Sequence, residues 1–180
     1  MSKLRPNLIM FVRIGKVSAC RMSDDGMEYD GMYWHYIDKW IFALTRLAQA
    51  RHQEPVRAVQ LVKDVHEGFL SRDRSGNPEG VRWKVNMDMT LIRGLEHSPP
   101  NSDALSGLIV YHLANSQSQL SNEIGDLIGV VQRYARSGMR ATGDPLGWGL
   151  DWWSLQWLEG ELADNHKVSL DFSAGTTGKQ

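Results

Sequence analysis

The sequence predicts an all-α protein of antiparallel αα-hairpins that form a partial or dimer-completed (α/α) toroid. Two observations lead to this prediction. Apolar residues recur at helical spacing in successive pairs of segments, and a short polar break separates the members of each pair. Helices joined by so short a connection must lie side by side and run antiparallel. We assign 1–172 to a single helical domain and 173–180 to a disordered, small and polar tail.

The first hairpin follows an acidic, glycine-containing loop. Apolar residues at i, i+3, i+4 and i+7 predict an amphipathic helix over 33–48, with Asp30 placed where an N-cap is expected. After a polar break, Pro55 suits the first turn of a second helix, whose apolar stripe ends at Phe69. These two helices form the first αα-hairpin.

The second hairpin follows a glycine-rich loop and a stretch with weak alternation. The segment 81–92 fits either a short strand or an irregular connection. Helical spacing returns over 105–113 and 120–131, which gives the second αα-hairpin. A last helix over 148–162 is apolar nearly all round, so it is buried on several sides or faces a partner.

Composition excludes several classes of protein. A net charge of −1 in 180 residues argues against nucleic-acid binding, which calls for a basic patch. The sequence lacks the roughly 18 consecutive apolar residues that a membrane-spanning helix needs. The single cysteine, Cys20, excludes an intramolecular disulfide and favours a reducing compartment. We therefore expect a soluble, cytoplasmic protein with no nucleic-acid or membrane partner.

Three segments carry a family resemblance. They are RIGK at 13–16 with DGMYWHYIDKWIFAL at 30–44, RWKVNMDM at 82–89, and ATGDPLGWG at 141–149. In this order and spacing they resemble bacterial and fungal proteins of the six-hairpin glycosidase-like group, which are (α/α) toroids. The resemblance covers about 13–162 and implies a toroid that binds or hydrolyses a saccharide at its loop-to-helix mouth.

The chain also departs from that family. Members are about twice as long, and they show a His-Asp-Pro-Leu-Asp-Gly stretch where this chain has HSPPNSDALSG. His97, Asp103 and Gly107 match in altered spacing, but Ser106 stands where the second Asp would be. A half-length toroid fits a fragment, a degenerate relative or a protein that closes its fold by forming a homodimer.

Carboxylates near the predicted helix starts are the catalytic candidates. Glycoside hydrolysis uses two carboxylates, about 5–5.5 Å apart for retention and about 6.5–9.5 Å apart for inversion. We expect Asp30 and Asp88 to form this pair, since both lie in family-like segments beside aromatic residues. Asp144 is the third candidate, although an Asp before Pro is also a common turn and cap.

Six further residues are candidates for holding the substrate. Aromatic side chains can stack on the C–H faces of sugar rings, and cationic or imidazole groups can bind hydroxyls or tune a carboxylate. Each also has a purely structural interpretation, as a core tryptophan or as an internally satisfied polar group. The candidates are Trp34, His35, Lys39, Trp83, Lys84 and Trp148.

The sequence contains few motifs that indicate a metal or a cofactor. DDGME at 24–28 matches the DDxxE pattern of class I terpene cyclases, but it precedes the helix and lacks a second metal motif. The six histidines show no paired metal-binding spacing, and no phosphate-binding or dinucleotide glycine loop occurs. We therefore expect no metal and no cofactor.

A different class of function is also open. Four of the seven tryptophans, Trp148, Trp152, Trp153 and Trp157, lie in one helix. Exposed aromatic surface of this kind often marks an interface. The alternative to a carbohydrate-active protein is therefore a non-catalytic helical interaction or oligomerisation module that uses the Trp-rich helix at 148–162.

Overall fold

A computed structural model of the chain describes residues 31–94, 96–138 and 145–164, with side chains in the last helix up to 157 except that of 146. The acidic loop before 31, Asp144 and the tail at 173–180 lie outside the described residues. Helices dominate the described part, together with four short strands. In chain order the elements are β1 (Gly31–Tyr33), α1 (Trp34–Ala50), α2 (Val56–Phe69), β2 (Leu70–Arg72), β3 (Pro78–Val81), β4 (Lys84–Asn86), α3 (Asp103–Ala114), α4 (Ser121–Arg136) and α5 (Pro145–Asp164).

The helices form the two expected hairpins. α1 packs on α2, and α3 packs on α4, each pair across a short connection, so the members of each pair run antiparallel. α3 occupies the centre, because it also packs against α1, α2 and α5. None of the described helices is long and apolar enough to cross a lipid bilayer.

Two small antiparallel sheets make the protein mostly helical rather than all-α. β1 pairs with β4, in the register Met32 to Val85. β2 pairs with β3 in the register Leu70 to Val81, with a bulge between Ser71 and Arg72. The segment with weak alternation thus contributes a real strand, β4. Its pairing with β1 holds the start of α1 beside the loop that follows the first hairpin.

The core lies among α1, α2, α3 and α4. Trp34 is 1% exposed, and its ring packs 5.3 Å from the ring of Phe69 and 6.2 Å from that of Tyr111, centroid to centroid. A β-carbon added at Gly107 would come within 2.5 Å of the Trp34 ring. The absence of a side chain at Gly107 is therefore what lets α3 approach the indole of α1.

The helix ends differ from the expected caps. α1 starts after Tyr33, in extended conformation and without a side-chain cap, and Gly31 belongs to β1. The expected N-cap at Asp30 is therefore wrong in position, because the strand β1 precedes the helix directly. At the other end of α1, Gln53 N–H donates to the carbonyl of Ala48 and His52 N–H to that of Gln49, which is a Schellman motif.

Candidate acid–base site

The carboxylate of Asp38 is buried in the middle of the protein. It lies on α1 at 1% exposure, on the same helix face as the core residues Ile37 and Ile41. Its Oδ2 accepts hydrogen bonds from Lys39 Nζ at 2.9 Å and Ser106 Oγ at 2.7 Å. Its Oδ1 is buried and has no hydrogen-bond partner among the described residues. Burial raises the pKa of Asp38, and the Lys39 and Ser106 contacts oppose that rise.

Asp103, at the first position of α3, faces the same place. Burial, followed by the like charges of Asp38 and Asp151, raises the pKa of Asp103 to about 6, with Lys39 opposing. Its backbone carbonyl accepts a hydrogen bond from Trp34 Nε1 at 3.0 Å, which fixes where α3 begins relative to α1. A carboxyl group with a pKa of about 6 can exchange a proton near neutral pH.

Lys39 connects this acidic group to the last helix. Its ammonium lies 3.8 Å from the ring centroid of Trp153, a cation–π contact. Phe42 of α1 also packs edge-on against the rings of Trp153 and Trp157 on α5, at 5.1 and 4.9 Å between ring centroids. These contacts seat α5 against α1 and bring Asp151, on α5, within electrostatic reach of Asp103.

The resulting site is built from three helices. We call Asp38, Asp103, Asp151, Lys39 and Ser106 the acid–base site. One of its carboxyl groups is fully buried and two are partly exposed, with a single ammonium among them. Clustered carboxylates whose proton affinity is raised by burial and like charge are characteristic of functional sites, although structural networks show them too.

Asp88, one of the predicted acids, lies elsewhere. It is exposed, in the turn after β4, where its Oδ1 accepts hydrogen bonds from the Thr90 hydroxyl at 2.6 Å and the Thr90 amide at 3.0 Å. These bonds lower the pKa of Asp88. The Asp88 carboxylate therefore stays ionised near neutral pH and stabilises the turn, whereas a general acid needs a carboxyl group that holds its proton. Its predicted partner Asp30, and Asp144, are outside the described residues.

Two of the predicted substrate-binding residues are inside the protein. Trp34 is part of the core, so neither face of its ring is open to a sugar. Lys84 is also buried, with its Nζ 5.1 Å from the ring centroid of Tyr33. Both contribute instead to packing at the junction of β1, β4 and α1.

The other predicted binding residues are accessible. Trp83 and Tyr33 lie 5.7 Å apart, and His35 and Tyr36 lie 4.1 Å apart, between ring centroids, in one aromatic cluster beside the start of α1. Burial lowers the pKa of His35, against the opposing charge of Asp38, so this imidazole is neutral near pH 7. The cluster therefore adjoins the acid–base site through His35.

Trp148 lies on α5, one helical turn before Asp151. It is 57% exposed and precedes Asp151 by three residues on α5, so the two side chains are neighbours on the helix surface. Of the predicted substrate-binding residues, Lys39 thus belongs to the acid–base site, while His35 and Trp148 each neighbour one of its members. Asp88 is on a different element, the turn after β4.

Sequence reasoning missed Asp38 and Asp151 and undervalued Asp103. Asp38 had a readable signal, because it falls at helical spacing on the apolar stripe between Trp34 and Ile41, where a carboxylate is out of place. Asp103 had a weaker one, in the altered HSPPNSDALSG stretch. Asp151 had none, because its relation to Asp103 depends on how α5 packs.

A second ionisable cluster joins α2, β2 and α4. His66, Glu67 and Asp126 place one potential ligand atom each within 4.8 Å of one another. The Arg72 guanidinium, however, donates to Glu67 at 2.7 Å and to Asp126 at 2.8 Å, and so already supplies the positive charge. We assign this cluster to an ion-pair network that ties the two hairpins together.

Comparisons with known proteins add no relative. No family model matches the chain, and no significant match was found among curated proteins or among solved structures. The resemblance to six-hairpin glycosidase-like proteins, predicted from three sequence segments, therefore stays a prediction.

Proposed function

We propose that the protein is carbohydrate-active and glycoside hydrolase-like, and that it acts at the acid–base site. The observation that supports this most directly is the pKa of about 6 at Asp103, raised by burial and by the carboxylates of Asp38 and Asp151. Glycosidases use one carboxyl group held protonated by its surroundings and a second that is ionised. Asp103 and Asp151 correspond to these two roles, in place of the Asp30 and Asp88 pair expected from sequence.

The roles follow from the surroundings of each group. Asp103 donates its proton to the glycosidic oxygen as the bond to the leaving sugar breaks. Asp151, on the neighbouring helix, acts on the opposite side of the sugar as base or nucleophile. Asp38 does not contact the substrate, because it is fully buried. Its charge, held by Lys39 and Ser106, keeps the proton on Asp103.

Aromatic surfaces on both sides of the site suit a saccharide. Trp148 presents an open ring one helical turn from Asp151, and Trp83 with Tyr36 presents rings beside His35. Aromatic faces bind the apolar C–H surface of sugars, and the adjoining carboxylates, imidazole and ammonium accept or donate hydrogen bonds to hydroxyls. A short oligosaccharide is therefore the class of ligand that fits this surface.

The test is release of reducing sugar from a panel of polysaccharides and oligosaccharides, with binding followed by tryptophan fluorescence. We expect Asp103→Asn to reduce kcat by at least about a hundredfold, since general acid catalysis contributes 10²–10⁴-fold. Trp148→Ala should raise KM with little effect on kcat. Asp88→Asn, at an exposed turn, is the matched control and should change neither.

Two results would overturn this proposal. One is the absence of both turnover and binding across the panel for the folded wild-type protein. The other is full activity in Asp103→Asn. Loss of kcat in Asp88→Asn alone would return the catalytic role to the pair first expected from sequence.

A second candidate is supported by the outer face of α5. Trp148, Trp152 and Leu155 follow one another at i, i+4 and i+7, and Trp152 is 62% exposed. An apolar stripe on the outside of a helix fits an interface with a second copy of the chain. We propose that such a homodimer would complete the partial (α/α) toroid.

The dimer proposal is tested by sedimentation velocity over a range of protein concentrations. Trp152→Ser should shift the protein toward monomer, while Tyr36→Ser, on the outer face of α1, should leave the association unchanged. A wild-type protein that stays monomeric at high micromolar concentration would refute this second function.

The single cysteine favours a reducing compartment, and we propose that the protein is located in the cytoplasm.

A further inference from the structure

A groove lies at the end of α1 that is remote from the acid–base site. It has a volume of about 400 Å³ and is formed by the last turns of α1, the connection and the first turn of α2. Its walls are aliphatic, and the most exposed of them are Leu47 at 48% and Val56 at 67%. We call Leu47, Val56, Arg51 and Arg57, with the volume between them, the arginine groove.

Two cations stand at the rim of this groove. Arg51 and Arg57 both line it and are exposed, and neither guanidinium has a hydrogen bond or ion pair with another residue of the described part of the chain. Arg46, one turn earlier, differs, because it donates to Gln49 and lies 5.1 Å from the Trp157 ring. The two groove arginines are therefore available to an anion from outside.

The acidic residue of the rim is engaged elsewhere. Glu54 lines the groove, but its carboxylate accepts a hydrogen bond from the hydroxyl of Ser116, in the connection between α3 and α4. That bond holds the carboxylate of Glu54 in a contact with the second hairpin. With two arginines and this one carboxylate among its lining residues, the groove carries a net positive charge.

The residues that line the groove also indicate which kind of molecule could carry the anionic group. The apolar residues that border the volume are Leu44, Leu47, Ala48, Pro55 and Val56, all aliphatic. Among the described residues, this lining contains no aromatic ring for a nucleobase to stack on. Guanidinium groups pair well with carboxylates, and an aliphatic chain gains from contact with aliphatic walls.

We infer that the arginine groove binds a medium-chain aliphatic carboxylate. The carboxylate pairs with Arg51 and Arg57, and the chain lies against Leu47 and Val56. A volume of about 400 Å³ is within the range of small-molecule pockets and accommodates a chain of this size. This site uses none of the acid–base residues, so it stands or falls independently of the proposed hydrolase.

Calorimetric titration with hexanoate, octanoate and decanoate, each below its micelle-forming concentration, tests the inference. Burial of each added methylene contributes about 0.8 kcal/mol to the binding free energy, so affinity should rise by about threefold to fourfold per methylene. Decanol should bind at least about tenfold more weakly than decanoate, because it lacks the charge.

Variants separate the two parts of the site. Arg51→Gln and Arg57→Gln should each weaken decanoate binding by at least about fivefold, consistent with loss of a hydrogen bond to a charged group. Lys63→Gln, an exposed cation elsewhere on α2, is the matched control and should have no effect. Glu54→Gln should strengthen binding, because it removes the negative charge of the rim.

The contrary results are equally specific. Equal binding of decanol and decanoate, or equal losses in Lys63→Gln and Arg57→Gln, would show non-specific association and would overturn the inference. Absence of saturable binding by any of the three carboxylates would also overturn it.

Discussion

The indole nitrogen of Trp34 donates a hydrogen bond to the backbone carbonyl of Asp103, 3.0 Å away. The bond joins the first residue of α1 to the first residue of α3, so it fixes the two helix starts that supply Asp38 and Asp103. A tryptophan expected to bind a ligand thus acts from inside the core, by holding a candidate proton donor in place.

Replacing Trp34 by Phe should destabilise the protein by about 2 kcal/mol, because the substitution leaves a carbonyl without its donor and reduces packing. The free energy of unfolding from guanidinium chloride titration measures the loss. Trp152→Phe, at an exposed position of α5, should stay within about 0.5 kcal/mol of wild type. Equal effects at both positions would contradict the core role of Trp34.

The raised pKa of Asp103 predicts a pH-dependent stability. A group whose pKa is higher in the folded state stabilises the fold fully below its unfolded pKa, and that contribution is lost as pH rises through the folded value. Here the window runs from the ordinary value of 3.8 to about 6. Asp38, Asp151 and Lys39 are the charged groups that face Asp103.

The comparison with Asp103→Asn isolates this effect, since Asn resembles the protonated acid. The two proteins should have nearly equal stability at pH 4, and the variant should be more stable by about 3 kcal/mol at pH 7.5, because the rise in pKa from 3.8 to about 6 corresponds to roughly 1.4 kcal/mol per pKa unit. Urea unfolding at both pH values measures the difference. A difference that stays constant with pH would exclude the raised pKa.

Gly107 and Gly125 form a matched pair on neighbouring helices. Gly107→Ala should destabilise by about 1–3 kcal/mol, because the added methyl group meets the Trp34 ring. Gly125→Ala should instead stabilise by about 0.5–1 kcal/mol, since a β-carbon there meets no atom within 4 Å and alanine favours a helix. Thermal unfolding of both variants distinguishes close packing from helix propensity.

His52 is held in a strained backbone conformation that glycine would relieve. Its φ is 53°, in the left-handed region that glycine adopts freely, at the residue that ends the Schellman motif of α1. His52→Gly should raise the free energy of unfolding by about 0.5–1 kcal/mol, after the entropic cost of glycine in the unfolded chain. His97→Gly, at an exposed loop position without positive φ, should give no gain.

The order of the five helices could be predicted from sequence, because α1, α2 and α4 each bury an apolar stripe that repeats every three or four residues, and α3 and α5 are apolar over most of their surface. Helix starts were less predictable, because α1, α3 and α4 all begin without a side-chain cap hydrogen bond. Tyr33 rather than Asp30 occupies the N-cap of α1, although Ser102 does occupy the N-cap position of α3. The short strands β1 and β4 are stabilised by pairing between residues that are far apart in sequence, such as Tyr33 and Lys84, with 50 residues between them, and local sequence patterns do not reveal such pairing.

The candidate site was predictable only in part. His35, Lys39 and Trp148 were predicted as substrate-binding residues from residue type and position. Lys39 belongs to the acid–base site, and His35 and Trp148 are neighbours of its members, but their role as ligand-binding residues stays a prediction. Asp38 owes its raised pKa to burial, and Asp103 owes its own to burial and to the charge of Asp38, 65 positions earlier in the sequence. Such coupling depends on tertiary packing, and single-residue patterns do not carry it.

The contact that α5 makes through Trp153 has a reciprocal consequence for Asp103. Docking of α5 brings Asp151 near Asp103 and thereby increases the proton affinity of Asp103, so protonation of Asp103 must by the same free energy favour docking. A rise in pH above about 6 would therefore weaken the packing of α5 before the two hairpins unfold. Above pH 6, the amide protons of α5 would then exchange faster than the rise in the intrinsic exchange rate alone accounts for. The ionisation of Asp103 at the start of α3 would thus control how firmly α5 is attached.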